Sequence, residues 1–167
     1  VRSDYAAFES GMQSPASEIF IHGMPGGQFT NLKSQARSMG LEEKWPEIAN
    51  AYAEVNAMFG DIVKVTPSSK VVGDMALLMV SQGISRDDVE DSNVEVVFPE
   101  SVIDMFSGNL GQPPGGFPKT LSEKILKGRK PKTDRPGIHV PKVDMNEKRK
   151  NLSRELMGKK VDDEDLF

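Results

Sequence analysis

The chain has 167 residues, of which 37% are hydrophobic and 7% aromatic, and its formal net charge is −4. This length suits one domain, or one domain with an appendage, and the charge predicts no strong attraction to nucleic acid or to anionic membranes. The absence of Cys excludes disulfides and thiolate metal sites and is typical of a reducing compartment. No apolar stretch approaches the roughly 20 residues needed to cross a bilayer, and we predict neither a membrane segment nor a signal peptide.

The two ends of the sequence carry no start or stop signal. The first residue is Val rather than Met, residues 1–8 are typical of the end of a helix, and no capping signal accompanies the acidic residues 162–165. We therefore expect the sequence to be part of a longer protein.

The first predicted elements are a short strand and a helix. Residues 17–22 alternate between apolar and polar side chains, which favours a strand, and the Met-Pro-Gly-Gly-Gln run at 24–28 then breaks it. Thr30 is a suitable N-cap for a helix over residues 31–39, with Gly40 after its end.

A longer helix is predicted to begin at Pro46 and to close at Gly60. Its apolar residues recur at helical spacing, at Ile48, Tyr52, Val55 and Phe59.

The junction over residues 63–74 is the most informative part of the chain. A β-branched run ends at Thr66, where an N-cap belongs, and Pro67 follows at the first helical position. The helix is predicted to continue to Gly83, and Gly73 inside it indicates a close backbone or ligand approach, because Gly costs about 1 kcal/mol there relative to Ala. Such a junction aims a hydroxyl and free backbone N–H groups at one point, which the helix dipole makes favourable for an anion.

The second half of the chain is predicted to hold three short helices and then a tail. Residues 85–88 form a weak capping box, and the Phe-Pro pairs at 98–99 and 117–118 each precede a helical pattern. The Pro-Gly run at 112–116 predicts a rigid loop between the last two helices. The whole pattern predicts a mainly α protein, an array of short helices with at most one or two short strands.

We predict three segments along the chain. Residues 1–127 form the helical body, and residues 128–143 form a basic linker that Pro and Gly interrupt. Residues 144–167 begin with a capping signal at Asp144 and hold one more helix with a thin apolar stripe.

Four separated motifs, in the same order, resemble the carboxyltransferase domain of the pyruvate carboxylase family. The resemblance covers most of residues 5–137. The strongest match is Val-Thr-Pro-Ser-Ser-Lys-Val-Val-Gly-Asp at 65–74, and the others lie at 24–32, 59–64 and 110–118, with a further Arg-Pro-Gly match at 135–137.

The resemblance implies a place in the fold and a set of site residues. In that family the domain is a (β/α)8 barrel followed by a helical funnel over the barrel mouth, and the motifs here belong to the funnel. Thr66 matches the threonine that relays a proton between the pyruvate methyl group and the biotin ureido nitrogen. Ser69 and Lys70 match residues that hydrogen-bond the biotin ureido oxygen, where the ammonium and the helix N-terminus would stabilise developing negative charge.

The family's divalent metal is held by ligands that lie upstream of this sequence. They are a His-x-His pair, an Asp and a carbamylated Lys, and none is present here. His22 and His139 are the only histidines of the chain and have no partner pattern, so we predict no metal site.

The resemblance also implies the activity of a parent enzyme. That enzyme uses ATP, a divalent metal and biotin to transfer a carboxyl group from carboxybiotin to pyruvate, giving oxaloacetate for anaplerosis and gluconeogenesis. Its partners would be a biotinyl carrier domain, the barrel and an allosteric domain that residues 144–167 begin, within a homotetramer. The enzyme would lie in the cytoplasm of a bacterium or in the mitochondrial matrix of a eukaryote. The isolated sequence should be inactive, since the barrel, ATP site and biotinyl-lysine lie elsewhere.

Other interpretations stay open at this point. A decarboxylase or transcarboxylase subunit of the same superfamily would share the Pro-Gly-Gly turn, although such subunits tend to have Pro-Thr-Ser-Gln where this chain has Pro-Ser-Ser-Lys at 67–70. A non-catalytic helical interaction module would use Thr66 as a cap, Ser69 as a first-turn residue and Lys70 as a solvated charge. Gly23 departs from the resemblance, which predicts Glu there.

Overall fold

The structure, a computed structural model, describes residues 3–9, 17–138, 140–156, 158, 160–162 and 164–166. This part of the chain contains α-helices, 3₁₀ turns and loops but no strand, which confirms the predicted mainly α class. The α-helices are α1 (Glu18–His22), α2 (Gly26–Ser38), α3 (Trp45–Met58), α4 (Ser68–Gln82), α5 (Arg86–Glu90), α6 (Glu100–Phe106), α7 (Lys119–Leu126) and α8 (Met145–Glu155).

The chain divides into two compact units, Val1–Pro136 and Gly137–Phe167. The boundary falls inside the segment predicted as a linker, residues 128–143. In the second unit, Asp144 caps α8 as predicted: its carboxylate accepts the backbone N–H groups of Asn146 at 2.9 Å and Glu147 at 3.3 Å. No residue of α8 is buried.

The core of the first unit is built around α4, which packs against α3, α2 and α6, while α7 packs against α6. Helical spacing places one apolar face of each of these five helices toward the core. The largest fully buried side chains are Tyr52, Phe59, Phe106, Leu32, Ile48, Met75, Val55, Val71, Val72, Val89 and Val102.

Several predicted helix boundaries are confirmed. Pro46 lies in the first turn of α3, and the Ser85–Asp88 capping box forms at the start of α5 with both reciprocal bonds. Both Phe-Pro pairs precede helices, α6 and α7. The end of α6 meets the start of α7, because the ring of Phe106 stacks on Phe117 with centroids 4.3 Å apart.

The predicted strand at residues 17–22 is wrong, because Glu18–His22 forms helix α1. The backbone bonds close within the segment, as from Phe20 N–H to the Ser17 carbonyl at 3.1 Å, and the described chain offers no strand to pair with. Gly23 ends the helix in the left-handed region at φ 60°, a conformation that Gly adopts without steric cost. The position that departs from the family pattern therefore serves as a helix C-cap.

Helix α2 begins five residues before its predicted start at residue 31. Neither Gly26 nor Gly27 has a positive φ, and both lie in the first turn of α2 rather than in the break that was predicted at residues 24–28. The predicted cap, Thr30, lies inside α2, where its hydroxyl donates to the Gly27 carbonyl at 3.0 Å.

Candidate active site

The loop between α3 and α4 is tied to the first residue of α4 by one hydroxyl. Ser68 Oγ lies 2.6 Å from the Val63 carbonyl oxygen and 2.7 Å from that of Val65, and it accepts the Val65 N–H at 3.1 Å. The Thr66–Pro67 peptide bond in this loop is cis. The serine therefore gives a defined shape to a segment that has no regular secondary structure.

The prediction that Thr66 caps α4 is wrong. Pro67 occupies the N-cap position, and its carbonyl oxygen accepts the N–H groups of Lys70 at 3.0 Å and Val71 at 3.3 Å. The helix thus starts one residue later than predicted, and Thr66 lies before the cap with an exposed side chain. Its hydroxyl is presented outside the helix.

Thr66 lines a cavity of about 310 Å³ between two of the sequence motifs. One wall is the loop before α4, and the other comes from Met105 of α6, the Pro-rich loop and Phe117. Most of the lining is apolar, with polar groups from Thr66, Ser68 and Gln112; the full lining is Ile62, Val63, Val65, Thr66, Pro67, Ser68, Met105, Leu110, Gly111, Gln112, Pro113, Pro114 and Phe117.

Hydrogen bonds through Lys132, which does not line the cavity, hold its Pro-rich wall in place. Gln112 Nε2 donates to the Lys132 carbonyl at 2.5 Å, and the Lys132 N–H donates to the Ser107 carbonyl at 2.9 Å. The loop predicted to be rigid is therefore held by hydrogen bonds as well as by its prolines.

The other two predicted site residues do not line the cavity of Thr66. Ser69 is buried in the first turn of α4, and its carbonyl oxygen lies 3.4 Å from the Tyr52 hydroxyl. Lys70 is exposed, and its ammonium donates to Asp74 Oδ2 at 2.6 Å. The three residues share the start of one helix, but only Thr66 faces this cavity.

The phenol of Tyr52 lies behind the first turn of α4 and stays neutral over a wide pH range. Tyr52 is fully buried in α3, and burial raises its pKa to about 12. Burial has this effect because a low-dielectric environment disfavours the charged phenolate.

Neither a metal site nor a membrane span is found in the part of the chain that the structure describes. Among those residues, no three His, Cys, Asp or Glu side chains come together, and no helix is both long and apolar enough to cross a bilayer. His22 lies on α1, and the other histidine, His139, is outside the described residues.

Some residues that shape this site were not predicted from the sequence. Ser68 was part of the quoted motif, and a hydroxyl next to the helix start was the available signal for its loop contacts. Asp74 was also in the motif, and its spacing of four residues from Lys70 is the spacing of a helical ion pair. Gln112 lay in the motif at 110–118 and Met105 in none, but no local signal placed either beside Thr66, because only tertiary packing brings them together.

The chain was compared with known protein families and sequences. The conserved carboxylase domain family matches residues 19–167. The chain is 56% identical over 137 residues to pyruvate carboxylase from Bacillus subtilis, covering 82% of this chain and 12% of that protein. It is 44% identical over 168 residues to mitochondrial pyruvate carboxylase from Homo sapiens, covering 99% of this chain and 14% of the human protein.

The fold is also similar to solved structures. The carboxyl transferase domain from Rhizobium etli pyruvate carboxylase, in complex with pyruvate and biocytin, superposes with a TM-score of 0.89 at 58% sequence identity. The alignment covers 97% of this chain and 27% of that structure's chain. This chain therefore spans only a small part of the proteins that it matches.

Proposed function

The chain belongs to the conserved carboxylase domain family, and from this premise we propose that it forms the helical funnel of a carboxyltransferase site. The site is that of a longer, biotin-dependent pyruvate carboxylase, which we call the parent carboxylase and which converts pyruvate to oxaloacetate. The observation that carries the proposal is the Thr66 hydroxyl at the wall of a cavity between two family motifs. The similar Rhizobium etli domain has been solved with pyruvate and biocytin.

The residues around the cavity fit the chemistry of biotin. The cavity has about 310 Å³ and mostly apolar walls with a few hydroxyl and amide groups, which suits a small bicyclic urea with a thioether ring. When bound as carboxybiotin, the cofactor supplies the carboxyl group that pyruvate accepts. We propose that Thr66 faces the reacting groups at the cavity wall, and that Ser69 and Lys70, which do not line the cavity, contact the ureido oxygen from the start of α4 beside it.

Thr66 has the chemistry of a proton relay. A hydroxyl both donates and accepts, so it can take up a proton while releasing its own, without a net change of charge. A free hydroxyl is too weak a base to remove a methyl proton by itself. The proton movement must therefore be concerted with carboxyl transfer: the methyl proton passes through Thr66 to the ureido nitrogen as the bond from that nitrogen to the carboxyl carbon breaks and pyruvate takes up the carboxyl group. Thr66 must be oriented before the reaction begins.

The Lys70 ammonium has donor hydrogens available for a contact with the ureido oxygen. An ammonium has three donor hydrogens, and the contact with Asp74 Oδ2 uses one of them. The remaining donors, together with the positive end of the 15-residue helix α4, favour an oxygen that gains negative charge. Ser69 is buried in the first turn, so its contribution depends on contacts close to the helix backbone.

The surface next to the cavity exposes apolar side chains, which we propose another part of the parent carboxylase covers. Exposed apolar side chains lie on α1 and on the loop before α4: Phe20 is 84% exposed, Ile21 77%, Val63 71% and Val65 61%. We propose that the barrel covers these groups and supplies the metal, while residues 144–167 lead toward the allosteric domain. The ATP site and the biotinyl carrier domain lie elsewhere in the parent, which we propose is a homotetramer.

The proposed location and role follow from the relatives. The parent would act in the cytoplasm of a bacterium or in the mitochondrial matrix of a eukaryote, and would supply oxaloacetate for anaplerosis and gluconeogenesis. The 167-residue chain by itself should make no oxaloacetate, because the barrel, metal ligands and biotinyl-lysine are outside it.

The test of this function is Thr66→Ala in the parent carboxylase. Oxaloacetate formation from pyruvate should fall at least ~100-fold, a typical contribution of a positioned proton-transfer group. Bicarbonate-dependent ATP cleavage, measured beside it, should be retained. Equal retention of both activities would reduce Thr66 to a loop residue, and a wild-type parent that made no oxaloacetate would refute the function itself.

A further inference from the structure

Lys70 belongs to a three-residue hydrogen-bond cluster that links α4 to α6. Its Nζ atom lies 2.6 Å from Asp74 Oδ2, and the same carboxylate oxygen accepts the Ser101 hydroxyl at 2.7 Å. The Asp74 side chain is only 18% exposed, whereas that of Lys70 is 57% exposed. The carboxylate is therefore a sheltered anchor, and the ammonium is the part that solvent or a ligand can reach.

Helix stability alone favours the opposite order for this pair. An acid placed four residues before a base stabilises a helix better than the reverse order, and here the base, Lys70, comes first. Lys70 is also the third residue of α4, where the positive end of the helix dipole disfavours a cation. A lysine in this position needs a local counter-charge, and Asp74 is the residue that supplies it.

The second donor to Asp74 connects the anchor to the cavity wall. Ser101 and Met105 are four residues apart on α6, so they lie on one face of that helix. Met105 lines the cavity of Thr66, while Ser101 bonds the anchor of Lys70. Helix α6 thus contributes Met105 to the cavity wall and, through the Ser101 hydroxyl, positions the Asp74 carboxylate that holds the Lys70 ammonium.

We propose that Asp74 is a positioning residue for carboxyl transfer, holding the Lys70 ammonium at the start of α4, and that Ser101 fixes the carboxylate. This inference rests on the proposed function, in which Lys70 contacts the cofactor. Asp74 touches neither substrate nor cofactor and acts only through Lys70. Once Lys70 has been replaced, removing the Asp74 carboxylate should therefore lower the rate of oxaloacetate formation no further.

A double-mutant cycle in the full-length parent carboxylase tests this dependence. We expect Lys70→Met to lower oxaloacetate formation about tenfold and Asp74→Asn about fivefold, as for loss of a charged hydrogen bond. The double variant should be no slower than Lys70→Met alone, because residues that act as one unit are not additive. Bicarbonate-dependent ATP cleavage should remain at the wild-type rate in all three proteins.

Two further variants separate positioning from folding. Asp74→Glu keeps the carboxylate and should recover part of the rate, whereas Ser101→Ala should lower the rate less than Asp74→Asn does. The matched control is Glu90→Gln, which removes another helical ion pair of the same spacing, Arg86–Glu90 at 2.9 Å, and should leave both activities unchanged.

Each outcome bears on the proposal. If the effects of Lys70→Met and Asp74→Asn multiply in the double variant, Asp74 acts independently of Lys70 and the proposal is wrong, while the proposed function stands. If Lys70→Met forms oxaloacetate normally, the positioning role is also refuted. Failure of the function itself would show separately, as retained oxaloacetate formation in Thr66→Ala.

Discussion

The interface of α3 with α4 and the loop that joins these helices differ sharply in burial. Val55 on α3 and Val72 and Met75 on α4 are fully buried, whereas Val63 and Val65 in the loop are 71% and 61% exposed. The loop is nevertheless shaped, because Ser68 bonds the carbonyl groups of Val63 and Val65 from the first turn of α4. Burial thus fixes α4, and α4 in turn holds the exposed loop that carries Thr66.

The largest difference between the two regions should appear on truncation of their side chains. Met75→Ala should lower the free energy of unfolding by about 3 kcal/mol, through lost burial and the cavity left behind. Val63→Ala should change it by less than about 0.5 kcal/mol, as expected at an exposed site. Urea unfolding of the 167-residue chain measures both, and equal losses would contradict the contrast in burial.

A smaller effect is expected where α2 meets α4. A Cβ atom at Gly73 would lie 2.5 Å from Gln28 Nε2 and 3.0 Å from Leu32 Cδ1, so these buried side chains would have to move. Gly73→Ala should destabilise the chain by about 2 kcal/mol, a typical cost of overpacking.

The matched control for that substitution is Gly27→Ala in α2. An added Cβ at Gly27 meets nothing within 4 Å, and its φ is not positive. This variant should stabilise the chain by about 0.5 kcal/mol, through reduced backbone entropy of the unfolded state. Thermal unfolding of the two variants side by side should give shifts of opposite sign; a stabilising Gly73→Ala would contradict the close packing of α2 on α4.

A pH-dependent effect concerns the phenol of Tyr52, behind the first turn of α4. The pKa of Tyr52 is raised by burial from its ordinary value of 10.0 to about 12, so the unfolded chain loses this proton first. Its contribution to stability is fully present below pH 10 and is lost as the pH rises toward 12. Tyr52→Phe should flatten the alkaline fall in stability measured by urea unfolding, and an unchanged slope would contradict the burial of the phenol.

Local signals were sufficient to predict much of the fold. Pro46, the Ser85 capping box and the two Phe-Pro pairs mark real helix starts, because capping and proline geometry depend on neighbouring residues. The strand predicted at residues 17–22 failed, because a short alternating pattern does not distinguish a strand from a one-turn helix that exposes Phe20.

The site was predicted less completely than the fold. Thr66 was identified from the motif, but its predicted role as a helix cap was wrong, because Pro67 takes that position. The meeting of the Thr66 loop with Met105 and Gln112 depends on how α6 packs against α4, and no local pattern contains that information. The motif therefore located Thr66 but not the cavity that this residue lines.

The central claim is that the hydroxyl of Thr66, and not merely its shape, is needed for carboxyl transfer. The most direct measurement is the single-turnover rate of oxaloacetate formation by the parent carboxylase with Thr66→Ser and with Thr66→Val. Serine keeps the hydroxyl and should retain the rate within about tenfold, whereas the isosteric valine should lose at least ~100-fold. Equal rates for the two variants would contradict the claim.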